Sequence, residues 1–186
     1  MSRSVLIWYA AALAVLWART AWLVSIVEFP VPVHFAFDGR PDRFGPPSSL
    51  YWLPGLASIL VPALLALGFG LPAMAEKTPD LVNLPKKALF LALPAAARRR
   101  AVRPLCSLLA FLPIPVLALF LWIIEESARI AIAGPFNPNV SLPWTPMTLP
   151  LVAVLIAVFV YSSRAGRQIT DEASALGLVG EKPGPR

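Results

Sequence analysis

Ionisable side chains are scarce in this sequence. Lys, Arg, Asp and Glu make up 14% of its 186 residues, with a single histidine, His34, and a single cysteine, Cys106. Soluble domains usually carry about a quarter charged residues, so a soluble fold of this size would lack the polar surface to cover its core. One cysteine excludes an intramolecular disulfide, a Cys-x-x-Cys motif and a cysteine zinc cluster. Lying inside an apolar run, Cys106 reads as a small buried hydrophobe. No nucleophile–base pair or ligand cluster is visible, so no catalytic residue, metal or cofactor is expected.

What the chain has instead is apolar surface. Hydrophobic residues form 58% of it, and the mean hydropathy is +0.70. A spanning helix needs roughly 20 apolar residues, because each adds about 1.5 Å and the hydrocarbon layer is about 30 Å thick. Four stretches qualify: residues 5–27, 50–75, 104–124 and 147–161. Ser48 and Ser49 stand where an N-cap of the second would fall. The first stretch could be taken for a signal peptide, but it runs too long, and Arg19 spoils the small-residue cleavage site near Ala18–Ala21, so a retained anchor is expected. The expectation is an all-α membrane protein of about four transmembrane helices. Residues 1–170 would form a single membrane domain and 171–186 a mobile cytoplasmic tail.

The net charge of +6 does not point to nucleic acid, because the basic residues sit between apolar stretches rather than along one polar face. Beside apolar spans, such charge sets orientation. Lys77, Lys86, Lys87, Arg98, Arg99, Arg100 and Arg103 lie between spans two and three. With Arg3, Arg164, Arg167, Lys182 and Arg186 they make twelve on one side, against Arg40, Arg43 and Arg129 on the other. Both termini are thus expected inside, in a multi-pass protein of the cell membrane. Trp52, Trp122 and Trp144 would then mark the outer interface. Among 21 prolines, Pro62, Pro113 and Pro115 fall inside spans, where they read as kinks that shape packing.

The loop after the first span, residues 30–45, is the most informative stretch. Val31, Val33, Phe35 and Phe37 alternate as in a short strand. Asp38-Gly39 signals a turn, and Pro41 and Gly45 punctuate the residues after it. Such order outside the membrane points to recognition. A metal reading of Glu28, His34, Asp38 and Asp42 fails on geometry: spacing by four converges on a helix, which Pro30, Pro32, Gly39 and Pro41 oppose.

Arg19, inside the first span, needs a counter-charge or water, with Glu28, Glu125 and Glu126 available. It reads as a snorkelling or paired arginine, or as part of a buried polar site between helices. Glu125-Glu126-Ser-Ala-Arg129 is similar to the Glu-Glu-x-x-x-Arg motif of CAAX-type membrane proteases, but it is one residue short and the further histidines are missing. Glu125 and Arg129 read instead as an ordinary i,i+4 pair. Arg98–Arg100 with Arg103 reads as a topology determinant that attracts anionic lipid, or as a docking site for a cytoplasmic regulator.

The loop pattern Pro-x-His-Phe-x-x-x-Gly-x-Pro-Asp-x-x-Gly, met by Pro32, His34, Phe35, Gly39, Pro41, Asp42 and Gly45, resembles the hallmark of a bacterial membrane domain that forms the N-terminal part of SdpI-type immunity proteins. A second element, Asn83-Leu84-Pro85-x-Lys87, resembles that family's Asn-x-Pro-x-Lys stretch. The chain departs from the family at Leu89-Phe90-Leu91, where Tyr-Trp-Leu is usual, and at Pro46, where a lysine is usual. It also lacks the Asn-x-x-x-Gly-x-Arg-Thr signature of full immunity proteins. The resemblance implies a non-enzymatic protein of the bacterial inner membrane that gives immunity or senses envelope stress. Its partners would be the bilayer, a secreted peptide bound by the outer loop (Asp38 and Arg40 included), or a cytoplasmic regulator. The alternative is a transporter or channel component with a polar interior around Arg19, Glu125 and Glu126.

Overall fold

The computed structural model describes residues 3–134 and 142–178. Its elements are α1 (Arg3–Ile26), β1 (Val31–Phe35), β2 (Pro41–Gly45), α2 (Trp52–Lys77), α3 (Lys87–Ala92), α4 (Ala95–Ala101), α5 (Arg103–Phe111), α6 (Pro113–Ala133) and α7 (Trp144–Ala175). Short 3₁₀ turns stand at Pro47–Tyr51 and Pro79–Leu81. Among the described residues, four helical stretches are long and apolar enough to cross a membrane: Ser4–Ile26, Pro47–Lys77, Ala95–Ala133 and Thr148–Ala175. The protein is thus largely helical, with the composition of a multi-pass membrane protein.

The chain separates into two compact units. The first comprises Met1–Pro62 and Pro113–Val154. Its core joins Leu16, Leu23 and Val27 of α1, Val31 of β1, Leu50 and Ala57, and Ile124, Ala128 and Ala131 of α6. On α6 the buried positions recur at i, i+4 and i+7, one face of a helix. The two alanines let backbones approach closely, as helix contacts in lipid require. Trp17 cross-links this unit twice: its Nε1 donates to Ser58 Oγ at 3.0 Å, and its ring stacks on Tyr51 at 5.9 Å.

The second unit comprises Ala63–Leu112 and Leu155–Arg186. Phe90, wholly buried, sits among Leu71 and Ala75 of α2, Val82 and Leu84 of the following loop, and Leu93, Ala97 and Ala101. Ala165, Ile169 and Ala173 of α7 complete this core. Arg98 ties the unit together at two helix ends, donating to Leu91 O at 3.2 Å and Glu76 O at 3.4 Å. Both carbonyls lie in last turns, where the helix dipole favours a cation.

Several sequence expectations need correction. The third span is longer than 104–124: it lies within the apolar helical stretch Ala95–Ala133, which passes a turn at Leu112. Helix α5 stops at Phe111 and α6 starts at Pro113, whose missing N–H removes one link of the ladder. Ser48 and Ser49 lie within the 3₁₀ turn, and that turn has no side-chain cap. The fourth helix reaches Ala175 rather than ending at Tyr161. Residues 171–175 are therefore helical instead of part of a mobile tail. The helix closes on Gly177 at φ +69°, with Leu178 N bonding Ala173 O at 2.9 Å and Gly177 N bonding Ser174 O at 3.0 Å, a Schellman arrangement. Residues 179–186, with Lys182 and Arg186, lie outside the described residues, as do the side chains of Arg3 and Trp144.

A 32-residue helix is about 48 Å long, against about 30 Å of hydrocarbon. Set upright in a bilayer, α7 would leave about twelve residues outside the apolar layer, and its charged end, residues 164–175, has that length. Water then drives packing there, so Phe90→Ala should cost about 3–5 kcal/mol. Denaturant unfolding of the reconstituted variant would measure it. A loss below about 1 kcal/mol would mean that this core does not hold the unit together.

Candidate functional site

The segment between α1 and α2 folds into an antiparallel hairpin. Ala36 N bonds Arg40 O at 2.8 Å, and Gly39 N bonds Ala36 O at 2.9 Å, leaving Phe37, Asp38 and Gly39 as the loop. Gly39 has φ +81°, the left-handed residue that a three-residue hairpin loop calls for. Asp38 Oδ1 accepts from Arg40 N at 3.0 Å, fixing the turn locally. Gly39 O in turn accepts from Leu142 N at 2.8 Å, so the tip is tethered to the segment before α7.

The hairpin base is anchored in the first unit. Val31 is fully buried against α1 and α6 side chains. Gly45 packs closely, since a Cβ there would meet Ser49 Oγ at 2.8 Å and Val33 Cγ1 at 3.0 Å and one of those side chains would have to shift. The strict alternation expected of Val31, Val33, Phe35 and Phe37 does not hold. Val31 and Pro32 are both buried, Val33 is exposed and Phe35 half-buried. Register shifts on either side of His34 rotate the strand out of its two-residue period.

Towards the tip the chain presents polar groups and one bare aromatic. His34 Nδ1 and Asp42 Oδ1 share a hydrogen bond of 2.6 Å across the strands, and both side chains are about half exposed. Arg40 and Asp38 approach to 3.6 Å. Phe37 is fully exposed. The seven motif positions thus fall in or beside one hairpin, with Pro32 and Gly45 structural and His34 and Asp42 on the surface, where Arg40, outside the motif, joins them. Glu28 is exposed before the hairpin. Among the described residues no three histidine, cysteine or carboxylate groups converge as for a metal.

The second polar group lies on α1 and α6. Arg19 forks onto Glu125, Nε to Oε1 at 2.5 Å and Nη2 to Oε2 at 2.8 Å. Its guanidinium also lies 4.2 Å from the Trp22 ring centroid, a cation–π contact. The expected Glu125–Arg129 pair is therefore wrong: Arg129 bonds Glu126 instead, at 2.8 Å, one turn along. Glu125 turns away because Arg19 offers it two parallel donors, and a forked pair is stronger than a single contact. A groove of about 370 Å³ borders Arg19, Trp22, Glu125 and Arg129.

In the loop after α2, Asn83 and Pro85 are exposed while Val82 and Leu84 are buried. Lys86 adopts a left-handed φ of +59° and reaches Thr170 Oγ1, whereas Lys87 Nζ donates to Asp80 O at 2.7 Å. The second motif thus closes a packed loop of the second unit. What the sequence did not expose is the pairing of Arg100 with Glu172, Nε to Oε1 at 2.7 Å and Nη2 to Oε2 at 2.6 Å. Only the spacing by four of Arg164, Gln168 and Glu172 on an extended α7 could have hinted at a polar face there.

No protein-family model and no solved structure matches this chain. An uncharacterized protein of Archaeoglobus fulgidus is 34% identical over 74 residues, which is 40% of this chain and 40% of that protein.

If Arg19 and Glu125 act as one neutral unit in the apolar helices, losing either partner strands the other charge. Arg19→Leu and Glu125→Leu should each lower the melting temperature in nanodiscs, and the double replacement should recover part of the loss. Additive losses in the double variant would show that the two residues are not coupled.

Proposed function

We propose that this is a non-enzymatic inner-membrane protein of bacterial type, related to the SdpI-type proteins, whose outer hairpin recognises a peptide or other envelope signal. The observation that carries this reading is the contrast within the hairpin. Its base is packed and its turn tethered, yet His34, Phe37, Arg40 and Asp42 are left facing outward. Ordering a loop that serves only as a connection gains nothing, whereas a rigid one loses little entropy on binding. A fully exposed phenylalanine flanked by paired charges is the composition of an interface anchor with a polar rim.

The transporter alternative has less support. Glu125, which borders the groove, is matched by Arg19, and Glu126 beside it in the sequence is matched by Arg129. A transported ion would have to compete with a forked guanidinium. The basic residues favour both termini inside, with the hairpin outside.

Reporter fusions should bear out that orientation: an enzyme active only in the periplasm should work when inserted at Gly45 and fail at the C-terminus. Cytoplasmic reporter activity at Gly45 would overturn it.

Replacing His34, Arg40 or Asp42 by alanine should remove protection against envelope-active peptides, with membrane abundance unchanged. Phe37→Ala should do the same, because its side chain supports no core. Gly39→Val should lower abundance as well, since a β-branched residue resists φ +81°. Full protection by well-expressed His34, Arg40 and Asp42 variants would leave the hairpin a purely structural element.

A further inference from the structure

The arginines of the second unit are not equivalent. Arg98 is occupied by backbone carbonyls, Arg99 by Glu76 and Arg100 by Glu172. Among the described residues Arg103, Arg164 and Arg167 are exposed and make no ion pair. Two of these three border one recess. It measures about 680 Å³ and is lined by Pro104 of α5 and by Arg164, Arg167, Gln168, Asp171 and Glu172 of α7. Arg103 directly precedes Pro104.

The electrostatics of the recess depend on which charges are already held. Glu172 has both oxygens bound by Arg100, so its charge is already answered. Asp171 lies seven residues, or about 10 Å, beyond Arg164 along the helix. Asp171, which lines the same recess, stands one turn beyond Arg167 and answers part of its charge, so the positive charge left over lies towards Arg164, its neighbour at i−3.

Depth in the membrane agrees with the charge. The apolar run of α7 ends at Val160 and Tyr161. Arg164 stands about 6 Å past Val160 and Arg167 about 10 Å past it. The headgroup layer is about 5–7 Å thick on each side of the hydrocarbon. Helical side chains lean toward the N-terminus, which here brings both guanidinium groups back toward the membrane. Arg164 shows this lean, its guanidinium lying 5.6 Å from the ring centroid of Tyr161. Pro104 begins an apolar stretch of α5 on the other wall.

We propose that this recess binds the phosphodiester of an anionic membrane lipid, with Arg164 and Arg167 donating to its non-ester oxygens. Gln168 supplies a further amide donor, and Arg103 adds charge at the rim. The Arg98–Arg100 run, which looks like the lipid-binding element in the sequence, instead holds the unit together.

The test uses the full chain, delipidated in detergent and titrated with short-chain phosphatidylglycerol or phosphatidylcholine under native mass spectrometry. Phosphatidylglycerol should bind about tenfold more tightly, and Arg164→Gln or Arg167→Gln should each remove about that factor. Arg164→Lys should retain part of the preference, because the charge survives without the fork. Lys77→Gln, an exposed charge away from the recess, should change nothing. Both arginines are exposed, so the variants should fold, and an unchanged melting temperature would confirm it. Unaltered binding in both glutamine variants would overturn the proposal, as would an equal loss in Lys77→Gln. Displacement of the lipid by millimolar inorganic phosphate or glycerol 3-phosphate would also overturn it, identifying a soluble phosphate as the ligand.

Discussion

A charge at the edge of hydrocarbon must be met by an opposite charge, a helix end or water, because lipid offers none of these. The chain has 16 basic and 10 acidic side chains to satisfy this rule, and their allocation organises much of the structure. Glu125 is held by Arg19, Glu126 by Arg129, Glu76 by Arg99 and Glu172 by Arg100. Each pair joins positions that helix length alone would leave uncoupled, except Glu126 and Arg129, which are local. These four carboxylates are taken up within the fold. What remains is a surplus of arginine, and its location tells which surfaces face an anion rather than a partner within the fold.

The hairpin obeys a different constraint. A two-stranded sheet is marginal in water, and this one is stabilised at both ends rather than along its length. Val31 is sunk in the helical core, Gly45 fits against Ser49, and Gly39 O is tethered to Leu142 N. The strands between need little intrinsic preference. That is why Pro41-Asp42-Arg43 can pair at all, although proline and aspartate are poor strand residues. It also frees the middle of the hairpin to carry side chains chosen for something other than folding.

Much of the helical plan was legible from hydropathy, because roughly 20 apolar residues have few alternatives to a spanning helix. The ends were not. A search for apolar residues stops at Tyr161, yet α7 continues because Ala165, Ile169 and Ala173 keep one face apolar while Arg164, Arg167 and Asp171 make the other polar. The turn at Asp38-Gly39 was readable from local chemistry. The second strand was not, since its pairing depends on anchors elsewhere. Nor could spacing reveal that Glu125 prefers an arginine 106 residues away to Arg129: two parallel donors outweigh proximity in sequence.

The same reasoning reverses the apparent meaning of the basic run. Three consecutive arginines look like the strongest anionic-lipid signal in the chain, but density of charge is not availability of charge. Arg98, Arg99 and Arg100 each face a carbonyl or carboxylate supplied by α2, α3 or α7. A phosphate approaching them would have to displace contacts already made, losing what it gained. Arg164 and Arg167 make no ion pair among the described residues, Arg164 resting on the Tyr161 ring and Arg167 one turn from Asp171, and they belong to one helix that holds their spacing. In a protein with so few carboxylates, the residues that meet an external anion are therefore those that the fold did not need.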